Sequence, residues 1–325
     1  MNWNRPLRFT PVYQTRIWGG RNLETLYGRT LPEPSLPYGE SWEISDRPEA
    51  QSTVQGGEAA GLTLNELWLQ YRLPVFGSAL ANHAAPQFPL LIKILDACDD
   101  LSIQVHPPAS VAPSLGGEPK TEMWFMTQVL PGARLYAGLR PGVTQEQFEA
   151  ALKTGEVAAL MHSIQPEAGD CLFLPSGRVH AIGAGLVIFE IQQNSDTTYR
   201  VFDWNRTGLD GQPRMLHIEE SLRSIDFQDH APQLQPVQAN GTLVSCEDFH
   251  VSHIYGRTGK LGRAGENLLV ALVTGRISVN GSTLSLGDFA IIPASMSDDE
   301  RLLTTVEPGS SWLEIRIPPP PAPLE

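Results

Sequence analysis

The chain of 325 residues is long enough for two moderate domains or one elaborate domain. Its composition, 41% hydrophobic and 18% charged, is that of a globular protein, and its net charge of −13 argues against nucleic acid as a partner. No apolar run approaches the roughly 20 residues of a membrane span, and the first residues lack the apolar core of a signal peptide. The three cysteines form no C-x-x-C pair, so we expect a reduced, cytoplasmic protein without structural disulfides.

The framework is predicted to be all-β, of the sandwich or barrel type. Gly and Pro occur 29 and 27 times, and most segments between them are short and rich in β-branched or alternating apolar residues. Two segments have helical spacing instead. The segment 62–73 has Thr63 as its N-cap, and a second segment opens with a Thr144–Gln147 capping box. The second segment predicts a helical insertion at about residues 144–163.

The segment 102–107 is the first that carries chemistry. On a strand, alternate side chains share a face, so Gln104 and His106 are expected to point the same way. Together they aim an oxygen and a nitrogen at one point. A Pro- and Gly-rich stretch then separates this strand from Glu122, which stands at the start of another strand-like segment.

A third segment, 169–180, has the pattern G-x5-P-x-G-x2-H and ends at His180. Gly169-Asp opens a turn, the next four residues are an apolar strand, and the Pro-Ser-Gly bend presents the histidine. Taken singly, His106 or His180 is more often an ordinary half-buried histidine. Together with Gln104 and Glu122 they predict a four-ligand metal site. Imidazole and carboxylate suit zinc, and also iron, manganese or nickel.

Lysine is scarce in this chain. The four lysines are Lys93, Lys120, Lys153 and Lys260, and the first two flank the proposed metal strands. Two of four near one motif is compatible with chance, but the chain uses arginine elsewhere. We therefore favour a function for Lys93 and Lys120, because a compact ammonium binds phosphate well and can take part in proton transfer.

The segment 189–206 is polar at alternating positions, so Glu190, Gln192 and Asn194 are expected on one strand face. Away from a metal, an exposed strand would be the better interpretation. Next to one, Glu190 is a candidate base and Arg200 a candidate cation that stabilises developing negative charge. Lys120 is a rival for the base, and the residues themselves leave that choice open.

A second β domain is predicted at residues 236–317, after a first domain at 1–235. Its strands are expected at 249–255, 268–273, 276–279 and 288–292. The segment 287–293 repeats the G-x5-P pattern but lacks the following Gly and His, so it predicts a degenerate copy without metal, although such a short pattern also arises by chance. His250 and His253 are three apart on a strand and should face opposite sides. The Pro-rich tail, 318–325, is expected to be polyproline II and disordered.

These motifs resemble those of the type I mannose-6-phosphate isomerases (phosphomannose isomerases) of the short bacterial form, within the cupin superfamily. The resemblance is specific from about residue 8 to 206 and weaker beyond. Pro119 and Met123 depart from the family, which usually has Gly and often Cys there, but neither is a proposed ligand. The matching segments are 17–20, 38–45, 91–96, 101–107, 120–124, 175–180 and 190–206.

The resemblance implies a mainly β fold of two cupin (jelly-roll-like) modules with a small helical insertion. It implies a metal-dependent interconversion of mannose-6-phosphate and fructose-6-phosphate by enediol proton transfer. One Zn²⁺ per chain, or another divalent metal, would be held by Gln104, His106, Glu122 and His180. The catalytic residues would be Arg200, Glu190 and Lys120, and the phosphate-binding residues Lys93, Ser102 and Arg206.

Two other functions are weighed against this one. An iron-dependent cupin oxygenase is disfavoured because such sites typically have three protein ligands or fewer and open positions, and Gln104 is unusual there. A non-catalytic sugar-binding or regulatory cupin is disfavoured by Glu190, Lys120 and Arg200. The only partner expected is a small sugar phosphate, without nucleic acid or membrane. The sequence leaves open whether the chain is a monomer or a dimer, the native metal, the substrate breadth and the pathway.

Overall fold

The computed structural model describes residues 1–235 and 240–320, and its architecture is mainly β, as the sequence predicts. Within the described residues the helices are short: α1 (Asn22–Thr25), α2 (Leu64–Gln70), α3 (Arg72–Phe76), α4 (Gln145–Thr154) and α5 (Ile218–Ser224). Three 3₁₀ turns lie at Ser78–Leu80, Ala112–Leu115 and Val157–Leu160. The strands are β1 (Leu7–Thr10), β2 (Val12–Gly20), β3 (Tyr38–Ile44), β4 (Asp46–Arg47), β5 (Ala50–Gln51), β6 (Thr53–Gln55), β7 (Leu90–Ala97), β8 (Ile103–Val105), β9 (Glu122–Val129), β10 (Leu135–Leu139), β11 (Met161–Ile164), β12 (Cys171–Leu174), β13 (His180–Ile182), β14 (Leu186–Gln193), β15 (Tyr199–Phe202), β16 (Gly241–Ser245), β17 (His250–Tyr255), β18 (Leu268–Thr274), β19 (Arg276–Val279), β20 (Ser282–Ser285), β21 (Phe289–Ile292), β22 (Leu303–Val306) and β23 (Ser311–Arg316).

The first compact unit consists of residues 13–41 and the described residues from 92 onward to 235. It contains a six-stranded sheet, in the order β12-β9-β14-β7-β3-β2, and a five-stranded sheet, in the order β11-β10-β13-β8-β15. Trp124 and Leu172 of the six-stranded sheet and Leu135 and Ile182 of the five-stranded sheet belong to one buried apolar cluster. The two sheets therefore pack face to face, which is the arrangement that alternating apolar strands favour.

The helical insertion of this unit is shorter than predicted. Its helix α4 begins at the Thr144–Gln147 capping box, as expected, but ends at Thr154. Gly155 follows in the left-handed region with φ of 76°, a common way for a helix to stop. The remaining predicted residues form the 3₁₀ turn Val157–Leu160 and the edge strand β11, because pairing with β10 satisfies their backbone groups.

The second compact unit consists of residues 1–12, 42–91 and the described residues after 239. Its main sheet has seven strands in the order β16-β17-β23-β18-β21-β1-β6. The four strands predicted in this part of the chain are present as β17, β18, β19 and β21, with bounds within one residue of those expected. His253 is buried on β17 whereas His250 is exposed, in line with their expected opposite orientations.

The second unit is discontinuous in sequence, which differs from the single predicted division near residue 235. Leu7 of β1 pairs with Ile291 of β21, and Phe9 pairs with Val54 of β6, so N-terminal strands complete the C-terminal sheet. Residues 236–239, where the boundary was predicted, and residues 321–325 of the tail lie outside the described residues. That this unit is a degenerate cupin stays a prediction.

No described helix has both the length and the apolar character needed to span a membrane.

We expect the change Thr63→Ala to lower the free energy of unfolding by about 1 kcal/mol, the usual cost of losing an N-cap. Thr63 Oγ1 accepts a hydrogen bond from the Glu66 backbone N–H at 3.1 Å, and Glu66 Oε2 accepts one from the Thr63 N–H at 2.8 Å. This capping box starts α2, which buries Leu67 and Trp68 completely. Urea denaturation measures the effect. Thr63→Ser, which keeps the hydroxyl, is the control, and equal midpoints for the two variants would contradict the role of the cap.

Candidate active site and metal centre

The four predicted metal ligands come together at the meeting of β8, β13 and β9. Gln104 on β8 pairs in register with His180 on β13, and its amide nitrogen lies 3.3 Å from His180 Nε2. Glu122 is the first residue of β9 in the other sheet. The ligand atoms of His106, Glu122 and His180 all lie within 4.8 Å of one another, and all three side chains are buried. Since an amide can turn about its last torsion, either of its polar atoms can face this point.

Backbone carbonyls fix the orientation of both imidazoles. The Nδ1 atom of His106 lies 2.8 Å from the Thr197 carbonyl oxygen, and that of His180 lies 2.9 Å from the Arg178 carbonyl oxygen. Each carbonyl can only accept, so each Nδ1 carries the proton and each Nε2 keeps its lone pair. Both Nε2 atoms lie 3.5 Å from a carboxylate oxygen of Glu122. A histidine that binds metal through one ring nitrogen typically donates from the other in this way.

The charges of these groups suit a cation. Burial, together with the nearby positive charge of Lys120, lowers the pKa of His106 to about 3, and burial also lowers the pKa of His180. Burial acts to raise the pKa of Glu122, but Lys120 and the histidines outweigh it and the pKa lies well below its usual value. The site therefore presents neutral imidazoles and an ionised carboxylate, the forms that ligate metal.

Several buried polar atoms here have no hydrogen-bond partner among the described residues. They are His106 Nε2 and both carboxylate oxygens of Glu122. Orphaned buried polar atoms are rare and costly, and a bound ion can satisfy them. His106 and Glu122, with His180 beside them, thus fit a divalent metal, and Gln104 is placed to be the fourth ligand.

A cavity of about 550 Å³ opens beside this cluster in the first unit. Of the ten predicted site residues, those that line it are Lys93, Ser102, Gln104, Lys120, Glu190 and Arg200. His106, Glu122 and His180 are buried out of its lining. Arg206 is not one of the described residues that line the cavity. Its guanidinium instead makes ion pairs with Asp203 and Asp99, each at 3.1 Å.

Glu190 is a buried carboxyl group held at the cavity wall. Its Oε1 atom accepts a hydrogen bond from Trp124 Nε1 at 3.1 Å, and its Oε2 atom lies 3.5 Å from Lys93 Nζ. Burial and the negative charge of Glu122 raise the pKa of Glu190, although Lys120 and Lys93 act to lower it. A carboxyl group in a cleft with a raised pKa is a candidate general base.

Lys120 is a buried cation next to Glu122. Its Nζ atom is 3.2 Å from Glu122 Oε2. Burial acts to lower the pKa of Lys120, but the surrounding carboxylates, Glu122 first and Glu190 next, raise it above its usual value. Lys120 is therefore an ammonium ion that faces the cavity.

Arg200 on β15 also faces the cavity. Its Nη1 atom donates to the Met215 carbonyl at 2.9 Å, whereas its buried Nε has no hydrogen-bond partner among the described residues. Burial lowers the pKa of Arg200, and the positive charge of Arg214 adds to this effect.

Five charged residues of the cavity lining were not predicted: Arg16, Glu40, Asp196, Asp210 and Arg214. Glu40 and Asp196 lie inside segments that match the family. Their place in those segments is the sequence signal that could have indicated them. Arg16 directly precedes the matching segment 17–20. Arg214 follows a Gly-rich turn beyond the last matching segment, so no sequence pattern indicated it.

Known proteins are similar to this chain in sequence and in fold. The sequence model of the family described as "Phosphomannose isomerase type I, catalytic domain" matches residues 7–130. Mannose-6-phosphate isomerase ManA of Bacillus subtilis is 38% identical over 255 residues, which cover 76% of this chain and 78% of that protein. The chain belongs to the type I phosphomannose isomerase family.

Other members of the phosphomannose isomerase family extend the match. The mannose-6-phosphate isomerase of Streptococcus mutans is 37% identical over 300 residues, covering 89% of this chain and 92% of that protein. The crystal structure of the B. subtilis mannose 6-phosphate isomerase superposes with a TM-score of 0.82 at 30% identity, over 96% of this chain and 99% of that one. A structure of mannose 6-phosphate isomerase bound with zinc and yttrium has a TM-score of 0.71 at 19% identity, over 96% of this chain and 99% of that one, and shows the shared fold.

Proposed function

We propose that this chain interconverts mannose-6-phosphate and fructose-6-phosphate, using a bound divalent metal. The observation that carries the proposal is the buried His106–Glu122–His180 cluster beside a cavity lined by a carboxyl group and several cations. Its relatives in the type I family are named for this reaction. A single site thus brings together candidate metal ligands and candidate acid–base groups of the kinds that an aldose–ketose isomerase needs.

The reaction moves a proton between C1 and C2 of the open-chain sugar. It requires a base, an acid and positive charge near O1 or O2, where the enediolate develops. We assign the base to Glu190, because Trp124 orients one of its oxygens and the other faces Lys93. Lys120 and Arg200 line the same cavity as cations and stabilise the enediolate. The pairing of Lys120 with Glu122 favours this role over that of the base.

The metal that we propose is zinc, one ion per chain, held by Gln104, His106, Glu122 and His180. Nitrogen and oxygen ligands in a set of four are typical of zinc, and a solved mannose 6-phosphate isomerase with the same fold is bound with zinc and yttrium. A single carboxylate ligand leaves a net positive charge on a divalent ion. When bound, such an ion supplies a Lewis acid that polarises a sugar carbonyl or hydroxyl.

The predicted phosphate-binding residues are brought together only in part. Ser102 lines the cavity and its Oγ donates to Gln104 Oε1 at 3.4 Å, so it stays a candidate donor to the substrate. Lys93 also lines the cavity, but three carboxylates surround it, and Arg206 lies outside the lining. The phosphate contact therefore needs a further residue.

The two other functions have less support. A sugar-binding cupin without turnover needs neither Glu190 nor Lys120 in the cavity, whereas both face it here. The relatives that match this chain over most of its length are named as isomerases, which disfavours an iron-dependent oxygenase. We also propose a reducing, cytoplasmic setting, with which the free thiols of Cys98, Cys171 and Cys246 agree.

Metal removal tests the proposal. The purified chain should contain one equivalent of metal, and a chelator should abolish its conversion of mannose-6-phosphate to fructose-6-phosphate. Added Zn²⁺ should restore the activity to the chelated protein, because the ligands are preorganised by the β sheets. Full isomerase activity without metal would contradict a metal-dependent mechanism. Oxygen uptake restored by Fe²⁺, without isomerisation, would favour the oxygenase instead.

A further inference from the structure

The charges that line the cavity are unevenly distributed. Lys93 Nζ lies 3.5 Å from a carboxylate oxygen of Glu190, 3.8 Å from one of Glu40 and 3.9 Å from one of Asp196. A phosphate dianion that approached Lys93 would also approach three carboxylates. Repulsion by these carboxylates offsets the attraction of the ammonium, because like charges a few ångströms apart interact strongly in a partly buried site.

Arginine side chains dominate another part of the same lining. Arg200 and Arg214 both face the cavity, and the carboxylate that neutralises them locally is Asp203. Asp203 is shared between two guanidinium groups: Arg214 Nε donates to its Oδ2 at 2.7 Å, and Arg206 Nη2 lies 3.1 Å from its Oδ1. Together with the unsatisfied Nε of Arg200, this leaves an excess of positive charge and of N–H donors at the cavity wall.

Asp203 itself is not among the described lining residues, but the nearby Asp210 is. Asp210 is exposed, and one of its oxygens accepts a hydrogen bond from the Gln212 N–H at 3.0 Å. Its remaining charge is screened by solvent. The turn that carries it is closed by a hydrogen bond from the Gly208 N–H to the Gln212 carbonyl at 2.7 Å, which positions Arg214 at its base.

We infer that Arg214 recognises the phosphate group of the substrate, that Asp203 is its positioning residue, and that Lys93 instead positions Glu190. The inference rests on the proposed function, since it takes a sugar phosphate as the substrate. A guanidinium is suited to this role because its planar fork matches two phosphate oxygens. Asp203 holds one edge of the Arg214 guanidinium through Nε and Nη2 and so fixes the direction of the group.

Binding of inorganic phosphate to the metal-loaded protein, measured by calorimetry, tests this inference alongside the kinetics with mannose-6-phosphate. Arg214→Ala should raise the Kd for phosphate and the KM for the substrate by roughly 10-fold or more, the scale of a charge-assisted hydrogen bond. The kcat should change much less, because the contact is made in both ground and transition states. Arg206→Ala should have a smaller effect, since Arg206 lies outside the lining.

Arg223→Ala is the control for the loss of one positive charge. Arg223 is exposed and donates to Ser114 Oγ at 2.8 Å, away from the cavity lining, so its removal should leave both constants at the wild-type values. Arg214→Lys keeps the charge but not the fork, and should lie between wild type and Arg214→Ala. If the alanine variant does not fold, Arg214→Lys replaces it as the test of the phosphate contact. Asp203→Asn should raise KM without lowering kcat in proportion. A general loss of folded protein would instead lower the apparent kcat and leave KM unchanged.

An unchanged phosphate Kd in Arg214→Ala would overturn the inference, as would a larger loss in Arg206→Ala than in Arg214→Ala. These outcomes are separate from a failure of the proposed function. A wild-type protein that binds phosphate through Arg214 but does not isomerise mannose-6-phosphate would support the anion site and refute the isomerase. If the wild type isomerises mannose-6-phosphate and Arg214→Ala has the same phosphate Kd and substrate KM, the isomerase is supported and the anion site is refuted.

Discussion

His180→Ala should lose its metal and its isomerase activity while it keeps its fold. The side chain offers one of the buried candidate ligand atoms, and its Nε2 lies 3.5 Å from Glu122 Oε1. Removing it takes a neighbour from the Glu122 carboxylate, whose oxygens already lack a hydrogen-bond partner among the described residues. We expect an activity loss larger than the 10- to 100-fold, roughly, that follows the loss of a residue that only orients a metal ligand.

The fold should persist because β13 is held by its backbone. Ala181 and Ile182 pair with β10 on one side, and His180 itself pairs with β8 on the other through main-chain groups that alanine retains. Metal content, turnover and far-ultraviolet circular dichroism measure the three parts of the expectation. His162→Ala, on the edge strand β11, is the matched control and should retain metal and activity.

Two outcomes would contradict this assignment. A variant that unfolds globally would indicate a structural metal rather than a catalytic one. A variant that keeps a full equivalent of metal would show that His180 is not a ligand.

Glu190→Gln should lower kcat by roughly 100-fold or more, the usual scale for an acid–base group, while substrate still binds. Glutamine keeps the shape of the side chain and an oxygen that can accept the hydrogen bond from Trp124 Nε1. It cannot take a proton from the sugar, so the loss should appear in the chemical step. Arg200→Ala should reduce kcat on a similar scale, because it removes a cation from the place where the enediolate develops.

Steady-state kinetics, together with binding of substrate to the inactive variants, separate the two effects. Glu167→Gln, at an exposed glutamate outside the cavity lining, is the matched control. Binding energy from the phosphate can also contribute to kcat, so the contrast with Arg214→Ala is one of degree. Near-normal turnover in Glu190→Gln would remove Glu190 from the role of the base.

Short-range patterns in the sequence were sufficient for the elements that carry the metal site. The strand alternation around Gln104 and His106, the turn before His180 and the capping box at Thr144 each depend on a few consecutive residues. Those residues set backbone preference and side-chain direction locally, so they can be recognised without the rest of the fold. The all-β framework follows from the same kind of local pattern repeated along the chain.

The neighbours of those elements depend on contacts between residues far apart in sequence. Leu7 pairs with Ile291, and Lys93 meets Glu40 and Glu190, through strand order and register that no local pattern specifies. Arg206 and Arg214 are eight residues apart and both pair with Asp203, yet only Arg214 lines the cavity. The sequence by itself determined the types of the proposed metal ligands and the β framework that carries them. Only the tertiary structure decided which charges face the substrate cavity, because the packing of the sheets and the path of the loop after β15 set the direction of each long side chain.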